Sequence, residues 1–307
     1  VPAVPRAVAW AGALGEEVDM QVPASFEFER AESVPHALEL LERYGPEARL
    51  VAGGHSLIPM MKLRLAQPDA LIDINGLAEL SQLGVEGDTL VIGALVRHAA
   101  LLADETVGAY FPIFHEAERV IADPVVRNRG TVGGSLCQAD PSEDLSAAFA
   151  AVRAEAVIVG PGGSRTVPIR EFHVGPYETV VEPGEILTEL RVRIKPGAGS
   201  AYEKVERRVG DWPVAAAGAY LRTNEGMIIE AGLGLTAVGA EHFAAPDAEA
   251  YLIGKAAGED VLREAARIAA ASCEPQADQR GPVDYKRHLA GELTYRALSR
   301  AAERSRS

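Results

Sequence analysis

The sequence predicts an α+β protein in two parts, and three observations carry that expectation. Short strands alternate with amphipathic helices over the first two thirds of the chain. A turn-rich stretch at residues 196–200, PGAGS, interrupts the apolar periodicity, and paired strands followed by helices fill the remainder.

In order along the chain, Ser33 is a good N-cap, and Ala37, Leu38, Leu41 and Tyr44 recur on one face, so a short helix is expected there. Residues 49–52 read as a buried strand that runs into Gly53 and Gly54, where the chain must turn. A helical stretch at 60–65 and a second strand at 70–75 complete a βαβ-like unit. A strand from Thr89 leads to a helix near 97, and a second helix is expected over 112–121. Residues 127–136 read as a long glycine-containing segment, followed by a helix at 146–152. Strands are expected at 157–160, 165–168 and 186–194. Beyond the linker, 214–221 and 228–238 read as paired strands, and 261–272 and 285–302 as terminal helices. No repeat or low-complexity tract is evident.

Composition narrows the function. The net charge of −14 argues against a nucleic-acid partner, because neutralising phosphates takes a basic surface. Cys137 and Cys273 are the two cysteines, too few for a disulfide framework or for a four-thiolate metal site built by this chain alone. Apolar runs are broken by charge or Gly/Pro well short of the roughly 20 residues that a membrane span needs. A cytoplasmic protein is expected. Residues 1–19, with Pro2, Pro5, Glu16 and Glu17, lack the basic start and apolar run of a signal peptide. They read as an extension ahead of a start at Met20.

Two motifs carry the chemistry. In the first, Ala52, Gly53, Gly54, His55, Ser56 and Leu57 follow a strand, and the glycine pair lets backbone N–H groups approach an anion, as in a pyrophosphate-binding nest. A simple tight turn is the plainer reading of such a pair. In the second, Thr131, Gly133, Gly134 and Ser135 form a flexible loop with hydroxyls, and Asp144 adds an acceptor suited to ribityl or ribose hydroxyls. Neither motif has the spacing of a Rossmann fingerprint or a P-loop, which disfavours nicotinamide and ATP readings. Lys204 reads as a solvated strand lysine or as positive charge beside a cofactor. Trp212 reads as a partly buried core residue. His55 reads as a turn-fixing residue, and the remaining histidines are too dispersed for a metal site.

The stretches AGGHSLIPMMKLR and RNRGTVGGSLCQADPSEDLSA, together with YEKVERRVGDWPVAAA, resemble the flavoprotein subunits and domains of the xanthine dehydrogenase and carbon monoxide dehydrogenase family over residues 20–303. The resemblance implies a two-lobed FAD-binding fold of the para-cresol methylhydroxylase (PCMH) type at 20–196, followed by a smaller α+β C-terminal domain at 200–304. It implies that residues 52–57 and 131–135 surround the FAD pyrophosphate, that Asp144 binds FAD hydroxyls, that Ile121 and Leu187 line the cofactor, and that Trp212 covers the flavin ring. Gly133→Val is then expected to abolish FAD retention while leaving most of the fold intact. No catalytic acid, base or metal ligand is expected in this chain.

The resemblance further implies an electron-transfer role beside partners. These are a large subunit with a molybdopterin-type cofactor and a small subunit with two [2Fe-2S] clusters, assembled as a dimer of heterotrimers. Carbon monoxide is the favoured substrate and quinone the favoured acceptor, with the complex resting on the inner face of the membrane through its partners. The alternatives are a self-contained flavin oxidase or reductase, which needs a substrate cap that the short C-terminal domain does not provide, and a non-enzymatic nucleotide-binding module.

Overall fold

The computed structural model describes residues 22–305. The extension and the start at Met20 lie outside the described residues. The chain opens with β1 (Glu27–Arg30), α1 (Val34–Tyr44), β2 (Ala48–Val51), α2 (Leu57–Lys62) and β3 (Ala70–Asp73). The strands pair in parallel in the order β1-β3-β2, so the expected βαβ unit forms. The Ser33 hydroxyl accepts from the His36 N–H at 3.2 Å, and Ala37, Leu40 and Leu41 are buried under α1. Helix α2 starts three residues earlier than expected, because winding begins at once on the glycine turn, with the Ile58 N–H bonded to the Gly54 carbonyl at 3.0 Å.

The hairpin β4 (Leu83–Glu86) and β5 (Thr89–Gly93) leads to six consecutive helices: α3 (His98–Ala103), α4 (Glu105–Tyr110), α5 (Pro112–Val120), α6 (Pro124–Arg129), α7 (Val132–Gln138) and α8 (Asp144–Ala151). Then come β6 (Glu155–Gly160), β7 (Gly163–Pro168), α9 (Ile169–Phe172), β8 (His173–Gly175), β9 (Glu178–Thr179) and β10 (Ile186–Arg193). The larger strands form an antiparallel sheet in the order β4-β5-β10-β6-β7. Its core gathers Leu90, Ile92, Phe114, Phe149 and Leu190.

The segment 127–136 is where expectation and structure differ most, since it is helical apart from the Gly130–Thr131 junction rather than a flexible loop. Asp123 caps α6 and Thr131 caps α7 through their side chains, and burial of Val132 and Leu136 offsets the poor helix propensity of two glycines.

The last part is a meander of β11 (Ala198–Glu206), β12 (Pro213–Asn224) and β13 (Met227–Thr236), then α10 (Pro246–Leu252), α11 (Glu259–Ala271) and α12 (Val283–Ser305). Residues 198–200, expected to be linker, already belong to β11. Alternation along β12 explains its unbroken apolar run. Ala215, Ala217, Ala219 and Leu221 join the core with α11 and α12, whereas Ala216 and Tyr220 join the core of the first part. Helix α8, buried along its whole length, lies so close to this sheet that a Cβ on Gly234 would stand 1.8 Å from the Ala147 carbonyl oxygen. Two carboxylates tie the parts together. Glu116 on α5 accepts from Arg300, Arg304 and the Tyr202 N–H, and Glu249 on α10 accepts from Arg153, Arg170 and the Leu233 N–H.

Candidate functional site

The two glycine motifs meet in space. A Cβ on Gly53 would stand 2.4 Å from the Arg129 carbonyl oxygen and 2.8 Å from the Gly130 Cα, so the first loop lies directly on the junction between α6 and α7. Asn75 and Arg97 hold it there. Asn75 donates to the Ala52 carbonyl at 2.7 Å and accepts from Arg97 at 2.7 Å, while a second Arg97 nitrogen donates to the Arg129 carbonyl. Gly54 takes φ +79°, and among the described residues no acceptor meets the N–H groups of Gly53, Gly54, His55 or Ser56. His55 and Ser56 are exposed, and Leu57 packs inward near Met61 and Leu71.

The second motif is closed by comparison. The N–H groups of Val132 and Gly133 donate to the Val96 and Ala94 carbonyls, each at 2.9 Å, and that of Gly134 to the Thr131 hydroxyl at 3.1 Å. The Ser135 hydroxyl donates to Glu143 at 2.7 Å. Gly133 is buried, with a virtual Cβ 2.5 Å from the Ala94 Cβ, so its glycine serves helix-to-sheet packing. The expectation that Gly133→Val leaves most of the fold intact is thereby corrected.

Asp144 and Lys204 face each other across the two parts of the molecule. Asp144 accepts from the Lys204 ammonium at 2.9 Å and from the Tyr202 hydroxyl at 2.7 Å, and the ammonium also donates to the Val120 carbonyl at 2.9 Å. The Lys204 side chain is 1% exposed, which corrects the solvated reading. Burial pushes the Asp144 carboxyl up to about 6, with Lys204 and Tyr202 pulling the other way. The Tyr202 hydroxyl is raised as well, by burial and by the adjacent carboxylate.

Ile121 ends α5, half-buried against the core, and Leu187 is buried on β10 at a bulge. Trp212 is 44% exposed, at the end of a turn that Gly210 seats against the Ile121 segment: at φ +78°, a Cβ on Gly210 would stand 2.4 Å from the Ala122 carbonyl oxygen. One region thus gathers the open loop at 52–57, Ile121, the start of α7, the Asp144–Lys204 pair and the Trp212 turn.

Several groups that sequence reasoning did not nominate support the region. His98 and Glu118 form a buried pair at 2.9 Å, with the His98 ring against Gly130. Burial alone would lower His98, but the Glu118 carboxylate outweighs it and the net shift is upward; burial raises Glu118. Glu143 caps α8 and receives Ser135. Asn75 ends the strand expected at 70–75 and Tyr202 opens the stretch YEKVERRVGDWPVAAA, whereas nothing local marked Arg97 or Glu118.

The N–H groups left without an acceptor within 52–57 are donors of the kind an anionic group such as a diphosphate takes, and the half-exposed Trp212 and half-buried Ile121 offer apolar surface in the same region. The fold thus has two parts, both of which contribute groups to this region. Residues 24–193 match the family described as FAD binding domain in molybdopterin dehydrogenase, and residues 200–301 match CO dehydrogenase flavoprotein C-terminal domain. The chain belongs to this family and is an FAD-binding oxidoreductase subunit. It is 42% identical to the carbon monoxide dehydrogenase medium chain of Hydrogenophaga pseudoflava, over 91% of this chain and 98% of that one. It is 35% identical to the glyceraldehyde dehydrogenase medium chain of Sulfolobus acidocaldarius, over 91% of this chain and 99% of that one. The structure of carbon monoxide dehydrogenase from Hydrogenophaga pseudoflava superposes with a TM-score of 0.89 at 44% identity, covering 92% of this chain and 99% of that one. Quinoline 2-oxidoreductase from Pseudomonas putida 86 superposes at 0.85 with 32% identity, covering 92% and 98%.

Proposed function

We propose that this chain is the electron-transfer subunit of a complex that oxidises carbon monoxide to carbon dioxide under aerobic conditions. It receives electrons from two [2Fe-2S] clusters on a small subunit, which draws them from a molybdenum-pterin centre on a large one, and delivers them to an external acceptor, with quinone favoured. The complex is a dimer of such heterotrimers and rests on the inner face of the membrane through its partners. The observation that carries this reading is the near end-to-end match to the carbon monoxide dehydrogenase medium chain, the first of the relatives above. The glyceraldehyde dehydrogenase match marks the main rival substrate class.

Bound FAD supplies a two-electron store that exchanges electrons singly. The chain's residues bind, orient and shield it. The N–H groups of Gly53, Gly54, His55 and Ser56 hold the diphosphate with Ala52 and Leu57 shaping the loop, and Thr131, Gly133, Gly134 and Ser135 set the floor beside it. Asp144 meets cofactor hydroxyls, Lys204 supplies fixed positive charge, Ile121 and Leu187 line the cleft, and Trp212 limits access to the ring. The domain boundary falls at 196–200, between an FAD-binding domain over 20–196 and a C-terminal domain over 200–304. Lys204, Tyr202 and Trp212 come from the second of these, so the cleft needs both.

Affinity purification of the tagged chain from its native cell, with metal analysis of what accompanies it, tests the reading. Two partner chains bringing molybdenum and iron are expected. Recovery of the chain alone with turnover of its own would favour a self-contained oxidase.

A further inference from the structure

Glu206 ends β11 at a register shift opposite Pro213 and stands between two features of the cleft. One carboxylate oxygen, Oε1, accepts from the Gly210 N–H at 3.1 Å, inside the turn that carries Trp212. The other, Oε2, is buried, accepts no hydrogen bond among the described residues, and lies 3.4 Å from the Lys204 ammonium. A buried carboxylate oxygen left without a donor is costly, and the nearby fixed cation is the group that offsets this cost. Within the turn the Asp211 N–H donates to the Arg208 carbonyl at 3.0 Å, the Asp211 carboxylate accepts from the Trp212 N–H at 2.8 Å, and Arg207 pairs with Asp211 at 3.7 Å. To the rest of the molecule the turn has few other ties. Arg207 reaches the Gln279 carbonyl at 3.2 Å, Gly210 rests on Ala122, and Val209 at its tip is 99% exposed.

We propose that Glu206 is a positioning residue that couples the buried Lys204 ammonium to the 207–212 turn, so that the charge in the cleft sets how closely Trp212 covers it. This rests on the proposed placement of FAD in the cleft. Gln at position 206 keeps an oxygen for Gly210 but turns an NH2 group toward the ammonium, which separates the charge from the hydrogen bond.

The test uses the full chain in a Trp10→Phe background, so that Trp212 is the single tryptophan. Three readings are taken on Glu206→Gln and Glu206→Ala. They are acrylamide quenching of Trp212 in the flavin-free chain, FAD content, and reoxidation of the chemically reduced flavin by dioxygen. Both variants should bind FAD as the parent does, with quenching and reoxidation changed at least about twofold. Parent-like quenching in Glu206→Gln alone would overturn the coupling and leave a plain hydrogen bond. Parent-like behaviour in both variants, or loss of FAD from either folded variant, would overturn the proposal altogether. If the parent itself takes up no FAD, the cofactor placement has failed, and the quenching of the flavin-free chain still decides the role of Glu206.

Discussion

Asp144 is a carboxyl sunk between two halves of the molecule, and its titration follows from that position. The group moves from 3.8 to about 6 on folding because of burial. Its folded pKa is the higher, so the folded state binds the proton more tightly, and the stability that Asp144 contributes is fully present below 3.8 and is lost as pH rises through about 6. The decline is on the order of 3 kcal/mol. Urea unfolding of the flavin-free chain between about pH 4 and pH 7 should show it, and Asp144→Asn should lack it; parallel profiles for the two proteins would contradict the assignment. Gly53 makes a different demand. Gly53→Ala sets a methyl against the Arg129 carbonyl and separates the two motifs, and equilibrium dialysis should record FAD affinity weakened by at least about tenfold, roughly 1.4 kcal/mol. Trp212→Ala leaves the open loop untouched and should retain FAD while altering flavin fluorescence, at a cost of about 1 kcal/mol in affinity. Of these residues, the glycine pair was legible because it directly follows a buried strand. The burial of Lys204 was not, because its partner Asp144 lies 60 residues away in sequence.

At the scale of elements, α7 shows how packing overrides local preference. Residues 131–135 carry two glycines and read as loop, yet the Thr131 cap and the buried faces of Val132 and Leu136 make a helix over Val132–Gln138. The βαβ unit and the β12–β13 pair were legible, since their apolar runs are bounded by turn residues and have strand length. Helix α10 was missed because its seven residues are too few to display a helical period. Helix α8 depends on the glycines of β13. Gly234→Ala forces a Cβ into the Ala147 carbonyl, so α8 must move together with Glu143 and Asp144 at its start. Overpacking of this kind costs about 1–3 kcal/mol, and thermal unfolding together with FAD titration should show both stability and binding reduced. A variant with parent-like melting would mean that the contact relaxes without strain.

The proposed cofactor site draws on both parts of the molecule. Asp144 comes from the first part and Lys204 and Tyr202 from the second, and the Glu116 and Glu249 ion-pair clusters fix how the parts dock. The two-part plan was legible in the turn-rich stretch that begins at Pro196, whereas the contacts of Asp144 with Tyr202 and Lys204 across the parts were not, because they join distant segments. The chain is an FAD-binding oxidoreductase subunit, and under the proposed function it holds and shields the flavin while turnover belongs to an assembly. The most direct measurement is the flavin absorbance of the chain purified with its large and small partners, followed anaerobically before and after addition of carbon monoxide. The proposed function predicts one FAD per chain, bleached by carbon monoxide and restored by quinone. A complex without flavin, or a flavin unmoved while the iron–sulfur absorbance bleaches, would contradict it.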